Sequence, residues 1–207
     1  MINILTSIKL YEILLATLVF MFIIPSCVGK SDPSNFYMLQ PIEASIVPSK
    51  SVLENNHIAV QVGPIIMPAY LDRSQIVMTT KTNQLIIDEF SRWAEPLTNN
   101  FSRVLVENLS QLLKTPNIYP YNSGNSQDAR IQVSVFVTRF DVTKDGDAYL
   151  NAFWMISDTS DDDRQLSQKS SYHSSISSAD ISDAVKAQNL LLTEFSKDIA
   201  DAIHSFK

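Results

Sequence analysis

Glycine is scarce in this sequence, four residues in 207, and cysteine occurs once, at Cys27. So few glycines leave no phosphate-cradling loop, which argues against the common nucleotide-binding motifs. A single cysteine excludes an intrachain disulfide. The three histidines, His57, His173 and His204, are too far apart along the chain to form a close metal-ligand pattern. Lysine and arginine number 16 against 22 aspartates and glutamates, a formal net charge of −6. That balance does not suit the neutralisation of phosphates, so nucleic acid is not expected as a partner. Ser167 to Ser178 is rich in hydroxyls, yet no Gly-x-Ser-x-Gly elbow accompanies it. Asp158, Asp161, Asp162 and Asp163 crowd together without the alternating ligands and central glycine of a calcium loop. The chain reads as non-enzymatic, with no cofactor and no metal site.

The longest uncharged apolar run, Ile13 to Ile24, is also short. As a helix it would extend roughly 18 Å, against a bilayer core of about 30 Å. It follows a weakly basic start at Lys9, the pattern of a secretory leader. Ile24-Pro25-Ser26-Cys27 then resembles a bacterial lipobox. The resemblance implies a diacylglycerol on the Cys27 thiol, cleavage before Cys27, and acylation of the new amine. Several acyl chains hold a soluble domain firmly to a membrane. An uncleaved short anchor and an ordinary buried cysteine are the alternatives. Val28 stands where an aspartate commonly retains such proteins at the inner membrane. The expected location is therefore the periplasmic face of the outer membrane.

Residues 1–26 are thus expected to be a signal peptide, 27–35 a lipidated N-terminus and tether, and 36–207 a single domain. Within the domain, Phe36 to Leu39 and His57 to Val62 read as short strands, the second closed by Gly63-Pro64. Pro68 to Asp72 reads as a turn, and Ile76 to Thr79 with Gln84 to Ile87 as a hairpin. Leu97, Phe101, Val104, Leu105, Leu109 and Leu112 form a helical stripe, with Pro96 suited to its first turn and Pro116 beyond its end. Strands follow at Ile131 to Thr138, Tyr149 to Ile156 and Gln165 to His173. The first two are linked through Asp145-Gly146, and the third is preceded by a polar loop at 157–164. Asp180 can cap a last helix bearing Ile181, Val185, Leu192, Phe195, Ile199, Ile203 and Phe206 on one face. The expected class is α/β of the α+β type, a mainly antiparallel sheet with two long helices packed on one face. The polar strand Gln165 to His173 is either a protected edge or a surface for a second copy of the chain, giving a homo-oligomer.

The blocks Gly63-Pro64, Pro68 to Val77 (with Tyr70-Leu71-Asp72-Arg73), Asn83-Gln84-Leu85 and Phe90 to Leu97 (with Arg92-Trp93-Ala94-Glu95-Pro96) resemble the ABC-type transport auxiliary lipoprotein family. The resemblance covers nearly all of the chain after the lipobox. It implies an outer-membrane accessory that docks or organises a periplasmic lipid-transport conduit, with a mammalian-cell-entry-type transport protein as partner. An envelope lipoprotein that activates a cell-wall synthase is the alternative. Candidate interface or structural residues in these blocks are Tyr70, Asp72, Arg73, Trp93 and Glu95. Arg73 can pair with Asp72 or Glu95, or face a partner. Trp93 can join helix to sheet in the core, or serve with Tyr70 as an interface anchor.

Cys27→Ser is expected to leave an unprocessed precursor or to release the domain from outer-membrane fractions. Fractionation of envelopes with mass analysis of the N-terminus checks this; unchanged acylation and location would contradict it.

Overall fold

The computed structural model describes residues 12, 14, 15, 17, 33–43, 59–124, 126, 129–176 and 180–206. Most of the expected signal peptide, together with Cys27, the tether as far as Asp32 and the start of the expected strand at His57-Ile58, lies outside the described residues. The chain divides into two compact units, Met1–Pro33 and Ser34–Lys207. In the second unit the elements, in chain order, are β1 (Asn35–Tyr37), β2 (Val60–Ile66), β3 (Gln75–Thr79), β4 (Leu85–Trp93), α1 (Leu97–Leu113), β5 (Ile118–Pro120), β6 (Ile131–Thr143), β7 (Asp147–Asp158), β8 (Asp161–Ser175) and α2 (Ile181–Phe206).

Strict alternation builds the centre of the sheet. Ile131, Val133, Val135 and Val137 of β6 are buried, as are Ala148, Leu150, Ala152, Trp154 and Ile156 of β7. The antiparallel meander β6–β7–β8 supplies the longest ladders. The Asp145-Gly146 turn joins its first two strands. Gly146 has φ +91, and a Cβ there would lie 2.7 Å from the Ile176 carbonyl oxygen, so only glycine fits. Beyond β6 the sheet forks. The first half of β6 pairs with β2, which continues to β5; its last residues pair with β3, which continues to β4 and then β1. The fold class agrees with the sequence-based expectation. The pairings β1–β4, β2–β5, β2–β6 and β3–β6 are nevertheless parallel, so the sheet is mixed.

Two expected boundaries are corrected. Gly63-Pro64 does not end β2, which runs on to Ile66. The ladder to β6 shifts register between Val62 and Ile65, so the proline, which has no N–H to donate, sits in an irregularity rather than a regular rung. The polar segment 157–164 is not a loop but two strand ends joined through Thr159-Ser160. Asp158 closes that turn: its Oδ1 accepts from the Ser160 hydroxyl at 2.6 Å and backbone N–H at 3.0 Å, and its Oδ2 from Arg130 at 3.1 Å. The Ser160 bonds, reinforced by Arg130, hold its carboxyl down at about 2. The three-residue β5 had no counterpart in the sequence reading.

Pro96 occupies the N-cap of α1, its carbonyl accepting the N–H groups of Asn99 and Asn100 at 2.9 and 3.0 Å. Lys114 ends the helix in the left-handed region at φ 52. Both helices lie on the face of Trp154 and Phe140. Phe101 of α1 meets Phe140 edge-on, with centroids 5.3 Å apart, and lies 6.2 Å from Phe195 of α2. Phe195 also contacts Trp154 and Tyr172 at 6.4 and 6.1 Å. Two buried asparagines of α1 fasten the segment after β1. Asn100 Oδ1 accepts the Leu39 N–H at 2.6 Å, and Asn108 Oδ1 accepts that of Ile42 at 2.8 Å. Asn108 also donates to Ser196 of α2 at 3.0 Å, linking the two helices.

Phe195→Ala removes the ring shared by both helices and the sheet, and is expected to cost about 3–5 kcal/mol in urea unfolding. A loss below about 1 kcal/mol would contradict this packing role.

Candidate functional site

Pleating sends alternate side chains of β6, β7 and β8 to the face away from the helices. On that open face the register aligns Ile66 of β2 with Phe136 of β6, Phe136 with Phe153 of β7, and Phe153 with Lys169 of β8. Ile66, Phe136 and Phe153 are 52%, 49% and 47% exposed. The Lys169 ammonium stands 5.3 Å from the centre of the Phe153 ring. With Pro64, Ser134 and Met155 these residues line a groove of about 680 Å³. Such a surface suits an apolar side chain or hydrocarbon group, because seating one removes apolar area of both partners from water.

Toward the end of β6 nearest the Asp145-Gly146 turn, the open face becomes polar and tightly ordered. Arg139 grips buried Asp141 with two bonds, at 2.8 and 3.2 Å, and the Thr79 hydroxyl donates to the same carboxylate at 2.6 Å. Burial disfavours the Arg139 charge, but the bonds to Asp141 outweigh it and raise its pKa. The guanidinium lies 3.7 Å from the centre of the Tyr149 ring, and His173 packs beside that ring at 4.9 Å. His173 and Ser175 both bond Asp147 at 3.0 Å, holding its carboxyl below the ordinary range. The 68–72 turn adds Tyr70. Burial first, and then nearby Asp141, push the Tyr70 hydroxyl up to about 12, so it remains protonated at neutral pH. The cluster is committed to internal partners: the arginine to Asp141, the histidine to Asp147. That is an arrangement for rigidity. Among the described residues no group of three or more His, Cys, Asp or Glu could hold a metal ion.

The other sequence-selected residues are dispersed. Asp72 and Arg73 are exposed in the turn anchored by buried Leu71. Glu95 pairs with Arg103 at 2.9 Å, so the pairing of Arg73 with Glu95 is replaced by a partner nearly two helical turns into α1. Trp93 is buried at 5% exposure, and its backbone N–H donates to the Ser74 carbonyl at 2.7 Å, which joins the two sequence blocks directly. Sequence reasoning missed Arg139, Asp141, Tyr149, Phe136 and Phe153. Asp141 interrupting an apolar strand was the available signal for the first of these groups. Phe136 and Phe153 sit at positions whose alternation left polar residues expected, and that mismatch was the signal for the second.

Residues 37–200 match the family model described as the ABC-type transport auxiliary lipoprotein component. Among curated proteins, the intermembrane transport lipoprotein PqiC of Escherichia coli strain K12 is 25% identical over 122 residues, 59% of this chain and 62% of PqiC. PqiC of Shigella flexneri matches to the same extent. The match thus spans less than two thirds of these relatives. The crystal structure of an uncharacterized protein superposes with a TM-score of 0.67 at 20% identity, covering 83% of this chain and 99% of that one. Protein XCC0632 from Xanthomonas campestris superposes with a TM-score of 0.65 at 16% identity, over 81% and 93%. These two structures share the fold.

Tyr70 has a raised folded-state pKa, so its contribution to stability is complete below its ordinary value of 10.0 and is lost as pH rises through about 12. Tyr70→Phe is expected to flatten part of the alkaline decline in melting temperature over that window. An unchanged profile would contradict the placement of this hydroxyl.

Proposed function

The chain belongs to the ABC-type transport auxiliary lipoprotein family, and on that premise we propose that it is a non-enzymatic outer-membrane lipoprotein that docks or organises a periplasmic lipid-transport conduit. Its proposed partner is a transport protein of the mammalian-cell-entry type. The name of the similar PqiC proteins, which describes them as intermembrane transport lipoproteins, supports this reading. The structural observation that carries it is the apolar row Ile66, Phe136 and Phe153, left uncovered on the face opposite both helices. A docking face needs apolar anchors held on a rigid frame, and the Arg139–Asp141 cluster stiffens the strands beside this row.

In this reading residues 1–26 are the leader, Cys27 carries the acyl anchor, and the domain from residue 36 works at the periplasmic face of the outer membrane. The turn with Tyr70, Asp72 and Arg73 forms a second contact point, while Trp93 and Glu95 act by holding that region in place. Among the described residues β8 pairs only with β7, which offers a second copy of the chain an edge to extend.

Affinity recovery from crosslinked envelopes through a C-terminal tag tests the assignment. A periplasmic transport component is expected among the specific partners, and Phe136→Asp with Phe153→Asp is expected to reduce its recovery by about tenfold or more in a folded protein. Recovery of a cell-wall synthase in its place would overturn the transport reading in favour of an activator.

A further inference from the structure

A second apolar surface lies at the other branch of the sheet. Phe36 of β1 is 66% exposed, and Leu85, Ile87 and Phe90 of β4 are also exposed. The register explains why they share the open face. Tyr37 aligns with buried Trp93, so its neighbour Phe36 points away from the core. Leu85 aligns with Thr79, whose hydroxyl reaches Asp141 on the open face, and Ile87 follows two residues later. Phe90 is pushed outward by a bulge. The β3–β4 pairing jumps from Val77↔Ile87 to Gln75↔Arg92, and Asp88 Oδ1 closes the extra residues by accepting the N–H groups of Phe90 and Ser91 at 2.8 and 2.9 Å.

We infer that the rim formed by Phe36, Leu85, Ile87 and Phe90 rests against the periplasmic leaflet of the bilayer that holds the Cys27 acyl chains. This rests on the lipoprotein reading above. Cys27 precedes Phe36 by nine residues, and an extended chain advances at most about 3.6 Å per residue, so whatever its course Phe36 stays within about 32 Å of the anchored cysteine. Tethering makes contact between rim and bilayer intramolecular, with an effective concentration that reaches about millimolar for a short flexible linker. A modest apolar patch is then sufficient, without the affinity a free protein would need. Charge selects the kind of lipid surface. Asp88 and Glu89 flank Phe90 against Arg92, and at the Leu85 end Lys81 is paired with Asp145 at 3.5 Å beside Lys144, so the rim carries no excess of cations of the kind that recognises anionic headgroups and suits a zwitterionic leaflet. With this rim on the bilayer and the Phe136–Phe153 row on another branch of the same sheet, one face serves both the membrane and the transport partner.

Acylation consumes the only native thiol, so one introduced cysteine in the processed lipoprotein can be labelled alone. An environment-sensitive fluorophore is placed on Phe90→Cys, on Phe36→Cys, and on Lys197→Cys of α2 as a control. Each protein is reconstituted in vesicles of phosphatidylethanolamine and phosphatidylcholine carrying brominated acyl chains, after circular dichroism confirms folding and mass analysis confirms acylation. Labels at 36 and 90 are expected to shift to the blue and to be quenched severalfold more than the label at 197. With Cys27 acylated, water-like emission at both rim positions would overturn the inference and leave the anchoring intact. A blue shift that needs an added envelope protein would overturn it in favour of a protein contact. Absence of acylation from Cys27 would bring down the anchoring reading and the inference together.

Discussion

Phe195 packs at once against Phe101 of the other helix and against Trp154 and Tyr172 of the sheet. This shared aromatic contact commits both helices to one side of the strands, with Phe140 receiving Phe101 edge-on. The consequence is asymmetry: one face of β6 and β7 is a filled core, and the opposite face keeps phenylalanines in contact with solvent. An open apolar row in an ordered sheet is costly unless something covers it. The functional proposal follows from that imbalance together with the family assignment.

Polar groups then determine how firmly the open face is held. Asn100 and Asn108 satisfy the backbone of the segment after β1 from inside the helix layer, where an unpaired N–H would be expensive. On the other side, Asp141 is fully buried and stands between Arg139 and Thr79. A buried carboxylate of this kind is tolerated because its lone pairs are occupied, and removing either partner would strand a charge. The cluster fixes β3 to β6, and with it the branch carrying β4 and β1. Rigidity at the fork keeps the two exposed apolar surfaces in a constant relation.

Much of this frame was legible in the sequence. The alternation of Ile131 to Val137 and the stripes of both helices report burial on one side, which is the property that periodicity encodes. Asp145-Gly146 marks its turn through a backbone conformation that few residues adopt. The parallel pairings were not legible, because they join strands far apart in sequence and leave no local pattern. Nor was the tight Thr159-Ser160 turn: a run of aspartates reads as loop until Asp158 is seen bonded to Ser160 and Arg130. Arg73 illustrates the limit for the site. The linear blocks offered Glu95 as one partner for it, yet Arg103 of α1 takes that carboxylate. Tyr70 and Trp93 were singled out from the linear blocks, but the groups that complete their surroundings, Arg139 and Asp141 above all, come from β6.

The most direct test of the central claim is site-specific photocrosslinking in intact envelopes from a benzoylphenylalanine placed at Phe153, with the same probe at Lys197 on the helix face for comparison. The docking proposal predicts that a periplasmic lipid-transport component is captured from position 153 and not from 197. Capture of that component from 197 alone, or of none from 153 in a folded, membrane-attached protein, would contradict it.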